Sequence, residues 1–475
     1  MNQKNLVLGV LAALIVVLAF GTFQLIGGDQ EPEETVTEGF REVSLDHEPY
    51  FAVRDSGGDV AYAGVDRENR SYVYYREKKY GPYVAVYNFW STDDEPVYIA
   101  LNTTGYRNLY HGDETVESLE EDEIVYNPQV LGGDLVYQKM VPEIDLSEYG
   151  ENLSSEDTIQ DIYEDFGFYS TQNTTSEYID IKLMRDGEEV GEGFEAVLDY
   201  AIIDRQLVYR AMDDGSAFLV DDGVKQEEYS SISSLMEIGG QTAFVASEGG
   251  EEFVVHGDDT GEKYNSVSEL TDVGGKPAYI AEEDDESFVV FDGEEDRRYS
   301  SYIIENLVSI DGKPGYIARK LGEEIVVAGE EASESYSRVY DLKSIGGEAV
   351  YSVFDGEDEY IVRGGEEMER FEQVDSFVGV GGEVAYTATN GDGKVFVRKG
   401  REDLGSYDEV TGPVEIGGEV AFIYSTEDSD KRQVHYGGRE SRRYDSILSI
   451  ADLEGRPVFV GERNKNQYLV EFIKG

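Results

Sequence analysis

The residues best suited to metal binding in this 475-residue chain are four histidines and 101 acidic residues, because the sequence contains no cysteine. The lack of thiols excludes disulfides, thiolate metal sites and a cysteine nucleophile, so stability has to come from packing. His47, His111, His256 and His435 show no H-x-x-x-H or comparable zinc spacing, which assigns them to strand or surface positions. Two of them precede glycines at the ends of apolar runs, in Val255-His256-Gly257 and His435-Tyr436-Gly437, and look interchangeable. A glycosidase needs two carboxyl groups flanking a sugar bond, but among so many acids a pair carries no information. The chain has no G-x-S-x-G nucleophile elbow and no sialidase-type Ser-x-Asp-x-Gly box. Glu282 to Glu286 and Asp392 lack the D-x-D-x-D-G order of a calcium loop and read as solvated turns. The expectation is therefore a protein that is not an enzyme, with no catalytic or metal residues. No cofactor is expected beyond non-specific association of calcium or other cations.

Two kinds of binding or modification residue remain. Trp90 is the one tryptophan and stands beside Phe89 and Tyr87; it is the best non-repeating candidate for a ligand contact, against a role as a core anchor. N-x-S/T sequons at Asn69, Asn102, Asn152 and Asn173 are glycosylation candidates if the domain lies outside the cell. Many of the 35 tyrosines, Tyr229, Tyr264, Tyr299, Tyr336, Tyr407 and Tyr444 among them, recur at one repeat position and read as structural.

The charge balance sets the surroundings in which such residues act. A formal net charge of -62 excludes nucleic acid as a partner, since its binding relies on Lys and Arg. Hydrophobic residues make up 40% and aromatic ones 12%, too many for a disordered acidic tail. Self-repulsion of this size is screened thoroughly only near 1 M salt, where the Debye length is roughly 3 Å, so a salt-loving organism, an archaeon, is expected. From Leu6 to Ile26 the chain is apolar and uncharged, about the length a helix needs to span a bilayer. Lys4 precedes this span and Asp29, Glu31, Glu33 and Glu34 follow it, which places residues 1–5 in the cytoplasm and the bulk of the chain outside. The span lacks an A-x-A cleavage site and is longer than a usual signal core, so an uncleaved anchor is expected rather than a secretory signal. Residues 27–40, with Pro32 and several acids, read as a tether.

Internal repetition organises the rest. Gly239-Gly240, Gly274-Gly275, Asp311-Gly312, Gly346-Gly347, Gly381-Gly382, Gly417-Gly418 and Glu454-Gly455 recur every 35 to 37 residues, with Asp204-Arg205 one period upstream. Gly57-Gly58, Asp93-Asp94 and Gly132-Gly133 continue the series less regularly. The two periods between Gly133 and Arg205 hold either a degenerate repeat near Phe166 to Thr171 or a long insertion. In one unit the paired turn is followed by Pro277-Ala278-Tyr279-Ile280-Ala281, an acidic loop, Phe288-Val289-Val290-Phe291 and the turn Asp292-Gly293. A three-residue cadence such as Tyr264, Val267, Leu270, Val273 then leads into the next unit. These are strand and hairpin signals; helical repeats fail because Gly pairs interrupt every segment. The expected fold is all-β: propeller blades of four antiparallel strands, about 11–12 repeats of ~36 residues, plus the N-terminal transmembrane helix.

The order Tyr-x-x-Val, then Gly-Gly-Lys-Pro-Ala-Tyr-Ile-Ala at 274–281, then Phe-Val-Val-Phe-Asp-Gly at 288–293 resembles the WD-like tandem propeller repeats of prokaryotes, including those of TolB-type proteins. The resemblance is good over 194–475 and loose over 41–193. It departs from the pattern in lacking the Trp-Asp dipeptide and the Ser-Pro-Asp-Gly turn. It implies an architecture and a binding platform, and no particular ligand. Blade counts of ~4 to 8 per ring suggest an irregular N-terminal propeller, 41–200, and a regular C-terminal one, 201–475, with a single ring over 41–475 as the alternative. The last unit stops after two strands, so Phe40 to Val53 is expected to complete it.

Three functions remain open. The first is a cell-surface module binding a protein or glycan, the second a structural envelope component, and the third an extracellular enzyme acting on polysaccharide or peptide. Residues clustered non-repetitively at one face would favour the first or third.

Overall fold

The computed structural model describes residues 34–142 and 179–473, apart from 38–39, 46, 50–53, 57–58, 67, 76–77, 91, 93–94, 121–122, 192–193, 195, 222, 392 and 427–428. Every regular element among them is a β-strand, and the strands form ten antiparallel sheets of the propeller-blade kind, most of them four-stranded. The expected span at 6–26 lies outside the described residues, and among those described no helix is long and apolar enough to cross a membrane. Part of the expected tether is instead structured. Glu34–Thr37 is a strand paired with Phe40–Ser44, in keeping with the strand preference of Thr35, Val36 and Thr37.

The repeat unit follows from its sequence. Gly274 and Gly275 take φ of 64° and 82°, the left-handed pair that closes a two-residue hairpin whose twist matches its strands. The turn joins Ser266–Val273 to Lys276–Glu283; Glu286–Phe291 and the short Glu294–Glu295 follow in chain order, and Tyr299–Ser300 also pairs with Glu286–Phe291. The three-residue cadence has a structural cause. In a regular strand a step of three reverses the face, but the register shifts between Ser268 and Thr271, where Glu269 has φ 50°. This bulge absorbs one residue. Val267 and Leu270 therefore share a face and pack with Ile238 and Val254 of the preceding sheet, whereas Val273 packs with Tyr316 and Val327 of the following one. Both faces of the sheet are apolar, which is why Ala278, Tyr279, Ile280 and Ala281 are all buried.

The sheets divide into two compact units, Glu120–Val374 and a second made of Asp375–Gly475 with the chain up to Leu119. These boundaries differ from a division near residue 200. Six successive sheets lie in Glu120–Val374. In the first of them Asp134–Pro142 pairs directly with Ile179–Arg185. Residues 143–178, including Phe166 to Thr171, thus connect neighbouring strands of a single sheet, and the long gap in the repeat is an insertion. They lie outside the described residues.

In the other unit Phe40–Ser44 completes the incomplete last repeat as expected, whereas His47–Pro49, also expected there, pairs with Asp59–Asp66 in a different sheet. Phe40–Ser44 pairs with Asn466–Phe472, which continues through Arg456–Arg463 to Ser446–Leu453. Glu42 is 2% exposed here, and its carboxylate accepts hydrogen bonds from Arg442 Nη1 at 2.7 Å, from Arg463 Nη1 at 2.8 Å and from the Tyr444 hydroxyl. A second sheet is double width, because the long strand Lys78–Trp90 pairs first with Ser71–Tyr75 and then with Val97–Asn102. This fusion of two strand sets, with the insertion at 143–178, accounts for ten sheets where the spacing predicts about eleven or twelve repeats.

Candidate functional site

The turn between the first and second strands of each sheet is where the repeat is most constrained. A Cβ added to Gly239 would lie 2.5 Å from the Gly275 carbonyl oxygen, and one on Gly274 would lie 3.2 Å from Gly312 Cα. In the other unit a Cβ on Gly417 would come within 2.2 Å of the Gly455 oxygen. Successive turns touch backbone to backbone, so glycine is required by close approach as well as by its positive φ. The carboxylate of Asp272 accepts a hydrogen bond from Gly275 N at 2.7 Å, and Glu415 and Asp452 hold Gly418 N and Gly455 N in the same way at 2.6 and 2.7 Å.

From Gly132-Gly133 onward the series is broken at one point. Its second position is glycine from Gly133 through Gly455 except at Arg205, which adopts φ 64° beside Asp204 at 46°. A left-handed conformation costs a residue with a Cβ about 1–2 kcal/mol. The preceding turn, Gly132-Gly133, does not approach a neighbour: nothing lies within 4 Å of where a side chain on either glycine would begin. Between these two turns, wholly within the unit Glu120–Val374, is an open groove of about 720 Å³. Val130, Leu131, Ile202 and Leu207 supply apolar walls, with Arg185 and Arg205 at the rim. Arg185 is neutralised by Asp134 at 2.6 Å. Arg205 is exposed and, among the described residues, has no hydrogen-bond or ion-pair partner. Tyr209 lines the groove from below, and burial pushes its phenol above the usual value, keeping it neutral.

The residues singled out from sequence are not gathered at this groove. Trp90 is half-buried at the end of its strand, opposite Val97, while Phe89 packs against the core and Tyr87 is 49% exposed. Asn69 sits in an exposed turn at φ 62°. Asn102 Oδ1 accepts hydrogen bonds from Thr104 N, Thr104 Oγ1 and Tyr106 N at 2.7–3.0 Å, closing a hairpin. Asn152 and Asn173 lie outside the described residues. Tyr264, Tyr299, Tyr336, Tyr407 and Tyr444 are buried, and Tyr264 meets Phe288 edge to face. His111 is half-buried in a strand, and His47 is also in one. His256 bonds to the Ile238 carbonyl at 3.0 Å, and no three His, Asp or Glu side chains among the described residues converge to hold a metal.

His256 and His435 are not interchangeable: the first immediately precedes its turn and the second stands one residue further back, which in a strand reverses the face. His435 is 8% exposed and stacks on Phe422 at 4.6 Å. Burial lowers its pKa below the usual 6.5, against the opposing pull of Glu440 and Glu402. The unfolded chain therefore takes up a proton near pH 6.5 that the folded chain refuses, so stability is lost as pH falls below that value. Denaturation midpoints measured from pH 8 to 5 at constant molar salt should fall more steeply for the wild type than for His435→Gln. Parallel curves would show that His435 does not contribute.

Sequence reading also missed a set of inter-sheet contacts. The carboxylates of Glu252, Glu324 and Glu359 accept hydrogen bonds from Val267 N, Val339 N and Val374 N at 2.8, 2.6 and 2.8 Å. The constant Glu-to-Val separation of 15 residues was the available signal.

No protein-family model matches the chain, and no curated protein matches it. Among solved structures, one of the eukaryotic initiation factor aligns at TM-score 0.38 and 9% identity, covering 76% of this chain and 98% of the other. The complex of BBS1N with ARL6DN, soaked with mercury, aligns at TM-score 0.24 and 8% identity, covering 51% and 91%. A structure from work on two prolyl endopeptidases aligns at 0.27 and 13%, covering 57% and 55%. With each of these TM-scores below 0.5, the architecture rests on the strand pairing itself.

Proposed function

We propose that this chain is a membrane-anchored, outward-facing binding module at the surface of a salt-loving archaeon, built of WD-like, TolB-type propeller repeats and acting as a platform rather than an enzyme. Its partner is a protein or glycan at the cell surface, and the groove beside Arg205 is its binding site. The observation that carries this reading is an exposed, unpaired arginine at the rim of an apolar groove, at the one paired turn from Gly133 to Gly455 whose second position is not glycine.

Anchoring and orientation are tested by protease shaving of intact cells, which should release the chain from about residue 28 onward. Cleavage only after permeabilisation would reverse the orientation. Capture with the solubilised chain in molar salt should recover a stoichiometric partner, and turnover on a panel of polysaccharide and peptide substrates would overturn the non-enzymatic reading. The acidic surface carries a further prediction. With a net charge of -62, dialysis from molar salt to dilute buffer should lower the melting temperature progressively as screening is lost; a salt-independent melting temperature would remove the argument for a saline habitat.

A further inference from the structure

Resting on that reading of the groove, we infer that it takes a peptide segment of a partner protein in which an aliphatic side chain stands next to a carboxylate. The walls fix the first half of this description. Val130 and Leu131 from one sheet and Ile202 and Leu207 from the next leave half-buried apolar surface open to solvent, and such surface is satisfied by branched aliphatic groups.

Arg205 fixes the second half. Its guanidinium matches a carboxylate with two parallel N–H···O bonds. Acids outnumber bases 101 to 39 in this chain, and a cation is the rare charge on its surface. The neighbouring Arg185 is already held by Asp134 at 2.6 Å, whereas Arg205 is left for an anion from outside.

The groove's position argues for a peptide rather than an enclosed small molecule. It runs between turn residues at the ends of two sheets, and Gly132, Arg205, Gln206 and Gly223 are all exposed. A segment crossing the turns can lay a side chain between them while its backbone stays in water. Exposed Gln206 provides an amide for that backbone.

The test uses the whole chain in detergent and molar salt, with the capped tripeptide leucyl-glutamyl-leucine as probe, its glutaminyl counterpart and decanoate as comparisons, and binding read by ligand-observed NMR. Arg205→Gly restores the residue used elsewhere in the turn series, so it should melt no lower than the wild type and keeps the result independent of folding. The glutamyl peptide should bind the wild type, and the glutaminyl peptide and Arg205→Gly should each reduce binding about three- to fivefold. Equal binding of both peptides, or an undiminished affinity in Arg205→Gly, overturns the assignment. Binding of decanoate alone would give the groove to a free acid, and self-association abolished by Arg205→Gly would give it to a second copy; either also overturns the peptide assignment. If capture recovers a partner that Arg205→Gly still holds, the binding module stands and the role of this groove does not.

Discussion

Glu42→Ala should destabilise the unit that contains both chain ends by about 3 kcal/mol. Three donors converge on this one carboxylate: Arg442, Arg463 and Tyr444. Removing a buried partner leaves the opposite charges uncompensated at a cost of about 3–5 kcal/mol. The lower end applies because the side chains of Arg463 and Arg442 keep 22% and 37% of their exposure and can turn toward water. Tyr444→Phe deletes one hydrogen bond, leaves both ion pairs and should cost only about 1 kcal/mol. Burial, followed by the Glu42 carboxylate, holds the Tyr444 phenol far above its usual pKa, so no charge is lost in that comparison. Chemical denaturation at fixed molar salt measures both variants. Amide exchange on Phe40–Ser44 should accelerate in Glu42→Ala more than exchange in the sheet around Gly275, because the carboxylate fastens the N-terminal strand. A cost below that of Tyr444→Phe would show that the cluster is solvated and contributes little.

Gly239→Ala should destabilise the protein by about 2–4 kcal/mol, and Gly240→Ala by only about 1 kcal/mol. The two residues share a turn and both have positive φ, 57° and 81°, so the backbone term is similar for each. They differ in their surroundings. A methyl on Gly239 would stand 2.5 Å from the Gly275 carbonyl oxygen, and one on Gly240 would meet nothing within 4 Å. The obstacle is backbone, so relief requires one sheet to shift against the next and disturbs the apolar cluster they share. Denaturation midpoints of the two variants, measured together, isolate the contribution of turn-to-turn contact. Equal losses would mean that the sheets yield freely at this seam.

Much of the local architecture was legible because its causes are local. The left-handed hairpin glycines, the apolar run Ala278 to Ala281 and the Tyr-x-x-Val cadence each lie within a few residues and report torsion and burial directly. The cadence was legible as a pattern but not as a cause, since nothing in Ser268-Glu269 announces which residue will bulge. The candidate site was only half legible. Asp204-Arg205 falls in register with the paired turns, and the presence of arginine where glycine recurs was visible. That Arg205 stands over a groove, and lacks a partner while Arg185 has Asp134, depends on how two sheets meet. Trp90 stood out by its rarity and its aromatic neighbours, which say nothing about placement, and a role as core anchor was the stronger expectation.

By itself the sequence determined an all-β chain of repeated antiparallel hairpins, the positions of their turns, the excess of negative charge and the sharing of one repeat between the two chain ends. Those properties are set by backbone torsion, side-chain alternation and composition over short windows. Tertiary structure alone decided that Glu42 meets Arg442 and Arg463, some 400 and 421 residues away, that the turns at Gly239 and Gly275 touch, and that the turns at Gly132 and Arg205 leave a groove. Each of these depends on the distance and rotation between stacked sheets. A displacement of an ångström or two changes them without altering any local pattern.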